Sequence, residues 1–271
     1  TEGATLEDDI KQKVKNEMVE LKTIDAFARK QKIELSDEEK ANIKSAAKEY
    51  MDSLSEETVQ GMNVTLKDVE SLYTSFYMVE KVYEKITADV SVEISDEEAR
   101  VIEVNYIFIA TCRLDADNQK IEFSENELAQ AKAKSEDVQA LIEKGSDFAV
   151  LAEQYSDSTS YSRVFGRGEM IEAFEEAAFK LEAGQTSEVI ETEDGYYYIK
   201  CIDDYLEDET AAKKAKMADD IKKTAYDELY NPFKEKQTLE FNNKIWNSLY
   251  LKDYGEISTL TLYEIYNKYM N

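Results

Sequence analysis

One proline, Pro232, and eight glycines in 271 residues constrain the fold of this chain more than any other feature of its sequence. Proline and glycine are the residues that most often end helices and form sharp turns. Their scarcity predicts long helices joined by few tight turns. The 42% hydrophobic content is enough to bury a core in one or two domains of this length.

The charge of the chain disfavours several classes of partner. Aspartate and glutamate total 59 against 33 lysines and arginines, which gives a formal net charge of −26. Nucleic acids and anionic membrane surfaces bind basic protein surfaces, so we expect no nucleic-acid partner and no direct membrane-surface partner. No apolar run approaches the roughly 20 residues of a membrane-spanning helix. The chain begins at Thr1 without a signal region, so we expect a processed or trimmed form.

The absence of histidine removes the commonest general base, metal ligand and pH switch at once. Cys112 and Cys201 are the only cysteines and show no metal-binding spacing, so we interpret both as small buried hydrophobic residues. Without a phosphate-binding loop, a nucleotide-dependent enzyme is also disfavoured. We therefore expect neither a metal nor a cofactor.

Helix signals dominate the first hundred residues. Apolar residues recur at three- and four-residue steps between Leu6 and Ile24, which is typical of an amphipathic helix. Two similar segments, IELSDEEK and VEISDEEA, place Ser36 before Glu39 and Ser95 before Glu98. Serine three residues before glutamate is a capping box, which satisfies free amide groups at a helix start. We interpret these glutamates as helix caps rather than catalytic carboxylates.

The middle of the chain changes to strand signals. VNYIFIAT is β-branched and aromatic, which predicts a strand, and Ser124 with Glu127 predicts the start of a helix. TSEVIET and YYYIKCI predict two strands joined by a tight Asp194-Gly195 turn, after short helices and the irregular loop STSYSRV. The chain then returns to helix, including one predicted from Phe233 to Tyr250, and we expect this last zone to pack on the N-terminal helices.

Four blocks in this middle zone resemble the parvulin family of peptidyl-prolyl cis/trans isomerases. They are VNYIFI, GSDFAVLAEQYSD, FGRGEMIEAFEEAAFKL and GYYYIK, in the family's order and spacing. The flanking helical zones resemble extracytoplasmic foldase and chaperone proteins of the PrsA type, which are similar to SurA. The resemblance implies an α+β fold with a parvulin-like domain at 103–204. It also implies helical segments at 1–102 and 205–271 that together form one chaperone-like lobe.

The resemblance also implies site residues. It places the pocket for the proline ring at Phe165, Met170 and Phe174, and it places Tyr106 and Tyr197 where the family usually carries histidines. The X-Pro barrier arises from amide resonance, so an apolar clamp and a hydrogen-bonding floor suffice, and tyrosine can supply the hydrogen bond. The alternative is that both tyrosines only pack in the sheet of a decayed site.

Further positions follow from the same resemblance. Ser158 and Asp194 stand at polar catalytic positions of the family, and STSYSRV replaces its glycine-rich stretch, so the pocket rim is expected to be reshaped. Arg167 is interpreted as a loop residue, and Tyr196 and Tyr198 as packing residues on the other face of the strand. The loop after the first strand mixes both charges, which disfavours selectivity for phosphoserine-proline.

Three hypotheses for function stay open at this point. One is a folding factor that isomerises X-Pro bonds in unfolded or partly folded secreted polypeptides. Another is a catalytically inactive holdase whose acidic helical lobe binds cationic clients. The third is a helical scaffold or homodimer with a vestigial domain. The resemblance implies an extracytoplasmic, cell-surface lipoprotein whose anchor lies upstream of this chain.

Overall fold

The computed structural model describes residues 5–249 and 259–270. Its helices are α1 (Leu6–Gln31), α2 (Asp37–Ser53), α3 (Glu56–Met62), α4 (Leu66–Thr87), α5 (Asp96–Ala99), α6 (Glu125–Glu143), α7 (Phe148–Tyr155), α8 (Glu172–Ala178), α9 (Glu207–Lys234), α10 (Asn243–Trp246) and α11 (Thr259–Met270). Its strands are β1 (Val101–Ala110), β2 (Cys112–Leu114), β3 (Lys120–Glu122), β4 (Ser162–Gly166), β5 (Ile190–Glu191) and β6 (Gly195–Asp203). Every described helix lacks the length or apolar character needed to cross a bilayer.

The chain divides into two compact units. One runs from Val92 to Ile221 and contains both antiparallel sheets, and the other is a helical unit made of residues up to Ser91 and from Lys222 onward. This arrangement confirms the α+β fold with a small antiparallel sheet between two helical segments. The sheet-containing unit extends beyond the predicted 103–204 on both sides.

Aromatic side chains join the two segments of the helical unit. Phe27 in α1 contacts Tyr230 in α9 with ring centroids 5.4 Å apart, and Tyr73 in α4 contacts Tyr266 in α11 at 5.5 Å. The buried Tyr73 hydroxyl also donates to the Leu262 carbonyl at 2.8 Å. The C-terminal helices therefore pack on the N-terminal ones, as the sequence predicts. Burial of such large rings supplies most of the driving force for this packing.

All three predicted capping boxes form, at the starts of α2, α5 and α6. The box of α2 has a second role. Glu39 caps the Ser36 amide with one oxygen, and its other oxygen accepts hydrogen bonds from Tyr77 and Lys81 in α4. Burial opposes ionisation of Glu39, yet the bonds from Lys81, Ser36 and Tyr77 outweigh it and lower its pKa to about 2. Glu39 thus links the start of α2 to α4.

The main sheet has the strand order β4-β1-β6-β5, with all neighbours antiparallel. In the β1–β6 pair, Tyr106 lies opposite Ile199 and Phe108 lies opposite Tyr197. These four residues share one face, because side chains alternate along a strand. On the opposite face, Tyr198 is buried and contacts Ser135 of α6 at 2.8 Å, which confirms its predicted packing role.

Four predictions of local structure are wrong. The loop STSYSRV ends in β4, which pairs with β1, and the strand predicted for TSEVIET shrinks to Ile190–Glu191. The helix predicted from Phe233 to Tyr250 is interrupted within the described residues, where only the short α10 lies between α9 and residue 249. Instead α9 includes Pro232 and ends at Lys234; Tyr250 lies outside the described residues. Cys112 is only half-buried, because the β2–β3 hairpin carries it, whereas Cys201 is buried as predicted.

We expect Glu39→Gln to destabilise the helical unit at pH 7 by about 1–2 kcal/mol, because partly screened charge-assisted hydrogen bonds are lost. The ordinary pKa of this carboxyl is 4.5 and the folded pKa is about 2. Its stabilisation is therefore full above pH 4.5 and is lost as the pH falls towards 2. Urea unfolding of both proteins across this range measures the difference, which should shrink with falling pH.

Asp68→Asn is the matched control for Glu39→Gln. Asp68 occupies the same capping position at the start of α4, where Thr65 is the only hydrogen-bond partner of its side chain among the described residues. We expect a smaller loss of stability than for Glu39→Gln. Equal losses in the two variants would show that the bonds between α2 and α4 contribute nothing.

Candidate functional site

Tyr106 and Tyr197, which lie on neighbouring strands, both pack against the ring of Phe174. Tyr106 of β1 and Tyr197 of β6 have ring centroids 6.2 Å apart. Both meet the ring of Phe174 from α8 edge-on, at 5.7 Å for Tyr106 and 5.4 Å for Tyr197. Edge-to-face contacts at such distances are favourable, because the positive ring edge meets the negative face. The two histidine-replacing positions thus come together in one aromatic cluster.

The other predicted pocket residues join the same cluster. Phe165 of β4 lies 5.8 Å from Phe174 between ring centroids, and Met170 packs on the cluster from the connection between β4 and α8. Phe165 is 3% exposed and Phe174 0% exposed, so the chain's own side chains cover both rings. Met170 and Tyr197 are only partly buried. Of the three residues predicted to form the proline pocket, the structure thus covers Phe165 and Phe174, and only Met170 keeps partial exposure.

Ser158 lies directly against one of the two phenols. Its hydroxyl oxygen is 3.0 Å from the Tyr106 hydroxyl, and Ser158 donates its proton to the Ser160 carbonyl at 2.6 Å. A serine hydroxyl has one proton, so Tyr106 must be the donor to Ser158. The phenol proton of Tyr106 is thus used inside the protein, and this chain of bonds fixes the ring.

Tyr197 differs from Tyr106 in this respect. Among the described residues, no hydrogen-bond partner contacts its hydroxyl, which is consequently available to a bound molecule. Burial raises the pKa of Tyr197, and the nearby charge of Asp194 raises it further. The phenol therefore stays protonated at neutral pH and can donate a hydrogen bond.

Asp194 makes its side-chain contacts outside the aromatic cluster. Its carboxylate forms an ion pair with Lys120 at 3.1 Å and accepts a hydrogen bond from the Cys112 thiol at 3.6 Å. Burial and Asp194 raise the pKa of Cys112, so the thiol is protonated at neutral pH. Asp194 acts on Tyr197 through its charge, and no hydrogen bond joins the two side chains among the described residues.

One residue of the site was missed by the sequence analysis. Phe108 stacks on Tyr197 with ring centroids 4.5 Å apart and an interplanar angle of 28°. The signal was present, because Phe108 follows Tyr106 by two residues in a strand and must share its face. Arg167, predicted to be a loop residue, lies in the turn after β4, bonds to Glu97 and rests on the ring of Phe179 at the edge of the cluster. No three acidic or thiol side chains within 5–249 and 259–270 gather as metal ligands would.

Residues 108–203 match the family model of the rotamase PPIC-type PPIase domain. This part of the chain is therefore a PPIC-type, or parvulin-type, peptidyl-prolyl isomerase domain, and its strands carry the aromatic cluster.

The chain is also similar to PrsA foldases. Foldase protein PrsA 3 of Bacillus anthracis is 32% identical over 144 residues, which are 51% of this chain and 48% of that protein. Foldase protein PrsA of Halalkalibacterium halodurans is 30% identical over 165 residues, 57% of this chain and 44% of that protein. The crystal structure of PrsA from Bacillus cereus covers 99% of this chain and 96% of its own, with 19% identity and a TM-score of 0.41. The matches with the two curated relatives span less than half of each relative's length.

We expect Phe174→Ala to destabilise the sheet-containing unit by about 3–5 kcal/mol, because a fully buried aromatic ring leaves a cavity. Urea unfolding followed by amide resonances of β1 and β6 measures this loss. Tyr205→Ala, which removes an exposed ring of the same unit, should change stability by less than about 0.5 kcal/mol. A similar loss in both variants would contradict the buried position of Phe174. Loss of function in Phe174→Ala would consequently report unfolding rather than catalysis.

Proposed function

We propose that this protein isomerises X-Pro bonds in unfolded polypeptides and that its helical unit holds the same clients. The observation that carries the proposal is the Tyr197 hydroxyl. It has no hydrogen-bond partner among the described residues; its ring stacks on Phe108, and both rings, like Met170, are partly buried side chains packed on the same cluster. A donor inside an apolar surface suits a reaction in which no covalent bond is made or broken.

The proposed mechanism follows from the electronic structure of the amide. The barrier of about 18–20 kcal/mol comes from resonance, which is lost when the bond twists. In our proposal Met170 and Phe108 contact the prolyl ring and exclude water. Tyr197 donates a hydrogen bond to the twisted amide, and this bond lowers the barrier only if it is stronger in the transition state. Tyr106 and Ser158 hold the rings in place, and the charge of Asp194 helps to keep Tyr197 protonated.

The clients and location of the protein belong to the same proposal. Similarity to PrsA foldases supports unfolded secreted polypeptides as clients, and X-Pro bonds in them as the sites of action. It also supports an extracytoplasmic location, and we include a lipid anchor upstream of Thr1 in the proposal. We also propose that the parvulin-like domain lies between two helical segments that form one chaperone-like lobe. A homodimer is part of the proposal, and light scattering tests it.

We expect Tyr197→Phe to lower kcat/KM for an Ala-Pro peptide roughly tenfold, because the only change is the lost hydrogen-bond donor. Met170→Ala should act mainly by raising KM. An exchange NMR assay of peptide isomerisation measures kcat/KM and KM for both variants. The rate should stay level between about pH 5 and 9, since there is no imidazole and the pKa of Tyr197 is raised.

Tyr196→Phe is the matched control, because Tyr196 precedes Tyr197 and packs on the other face of the sheet. It should leave the rate unchanged. Equal rates in the two tyrosine variants would exclude the proposed donor. A wild-type chain that gives no acceleration at micromolar concentration would refute the isomerase function.

A cleft in the helical unit favours the second candidate, a holdase that acts without catalysis. The cleft has a volume of about 430 Å³ and is lined by Val79, Glu80, Tyr83, Glu84 and Tyr226. The rings of Tyr83 and Tyr226 lie 5.4 Å apart between centroids. Aromatic faces beside carboxylates attract lysine and arginine side chains, so the cleft suits basic segments of unfolded clients.

We expect Glu84→Lys to weaken suppression of the aggregation of a basic client severalfold, because the cleft loses its charge complementarity. Light scattering during client refolding measures this. Glu228→Lys, the control, makes the same charge change on an exposed position of α9 outside the cleft and should have little effect. The holdase role of the cleft fails if both variants suppress aggregation equally, and peptide isomerisation should be unchanged in both.

A further inference from the structure

The segment Gly166–Met170, here called the Met170 loop, presents the accessible methionine of the site. Gly168 adopts a left-handed conformation with φ of 82°, and its amide donates to Glu175 at 2.7 Å. Further polar contacts join the loop to two segments distant in sequence, α5 and α9. The position of Met170 therefore depends on residues well outside its own part of the chain.

Lys213 of α9 makes two of these contacts. Its ammonium group donates to the Arg167 carbonyl at 2.9 Å and to the Glu169 carboxylate at 2.7 Å. The Lys213 side chain is only 19% exposed, so these charge-assisted bonds are shielded from much of the solvent. Lys213 thus contacts the backbone of Arg167 and the side chain of Glu169, which both precede Met170 in the loop. Lys213 thereby fixes both the path and the end of the loop.

Gly166 makes room for this contact. A Cβ atom at Gly166 would lie 2.1 Å from the Lys213 nitrogen and 2.7 Å from its Cδ atom. No side chain longer than a hydrogen fits there while Lys213 stays in place. The glycine is needed for the close passage of the lysine over the strand end rather than for backbone freedom.

A second contact comes from α5, which precedes the domain in sequence, whereas α9 follows it. Arg167 donates to the Glu97 carbonyl at 3.3 Å and forms an ion pair with its carboxylate. The guanidinium group also lies 4.3 Å from the ring centroid of Phe179, which belongs to the buried aromatic cluster. The loop is thus held from both chain segments that flank the domain.

Hydrogen bonds also attach the start of α9 to the start of β1. Leu206 donates to the Val101 carbonyl at 2.9 Å, and the Val101 amide donates to the Thr210 hydroxyl at 3.0 Å. These bonds set the start of α9 against the start of β1. Glu97 and Lys213 both lie outside the residues 108–203 that match the domain family.

We propose that Lys213 and Glu97 are positioning residues for proline recognition, which act by holding the Met170 loop against the aromatic cluster. This inference rests on the proposed isomerase function and adds to it. It assigns part of the substrate-binding machinery to segments that flank the domain, so that the working isomerase unit extends from Val92 to Ile221.

The test uses the full chain with Lys213→Ala, and Lys214→Ala as its matched control. Lys214 is adjacent on α9 but pairs with Asp96 instead of the loop. Lys213→Ala should lower kcat/KM for an Ala-Pro peptide on the order of tenfold, through KM with kcat nearly unchanged, because substrate is bound by a displaced loop. Lys214→Ala should match the wild type. Equal KM values for the two variants would overturn the proposal.

Gly166→Ala supplies a second, steric test. In the wild type it should raise KM, because the new methyl group displaces the Lys213 side chain. In the Lys213→Ala background the same substitution should have little further effect. Strictly additive effects of the two substitutions would overturn the assigned contact, whereas loss of additivity is expected of groups that touch.

A readout independent of activity separates this inference from the proposed function. Methyl NMR of ¹³C-labelled methionine, with Met170 assigned through Met170→Leu, reports the environment of the loop directly. Lys213→Ala should move the Met170 signal and leave that of Met51, in the helical unit, unchanged; Lys214→Ala should move neither. If the wild type lacks isomerase activity, the proposed function fails. A Met170 signal unaffected by Lys213→Ala would instead refute the positioning role.

Discussion

The antiparallel pairing of β1 with β6 is the interaction on which the rest of the sheet-containing unit depends. Its register places Phe108 opposite Tyr197 and Tyr106 opposite Ile199. A shift by one residue would move every one of these side chains to the other face of the sheet. The buried contact of Tyr198 with Ser135 on that other face disfavours such a shift, because an unpaired buried phenol is costly. Packing on both faces thus fixes the site.

In the proposed site, two phenols stand in for histidine and differ in their contacts. Tyr106 gives its proton to Ser158 and serves the structure, while Tyr197 has no partner among the described residues and is available to a substrate. Both rings rest on Phe174, which is fully buried. An aromatic floor of this kind is rigid, because its rings are held by several edge contacts. Rigidity suits a reaction that depends on the shape and polarity of a surface rather than on proton transfer.

Much of the local structure could be predicted, because its causes lie within a few residues. The capping boxes at Ser36, Ser95 and Ser124 all form, since serine and glutamate act on the nearest amide groups. The candidate site residues were predicted through the resemblance of FGRGEM and GYYYIK, and the structure packs both Met170 and Tyr197 against the same cluster. The missed strand β4 is short, and its pairing with β1 adds order that no local pattern carries.

The sequence by itself determined the capping boxes, the alternation of β1 and β6, and the absence of imidazole chemistry. Each of these follows from residue type and spacing alone. Only the tertiary structure decided that Phe165 and Phe174 are covered, that Tyr106 is engaged while Tyr197 is free of partners among the described residues, and that Lys213 reaches Gly166. The reason is that burial and hydrogen-bond partners are set by residues far apart in sequence, and no local pattern records which of them meet.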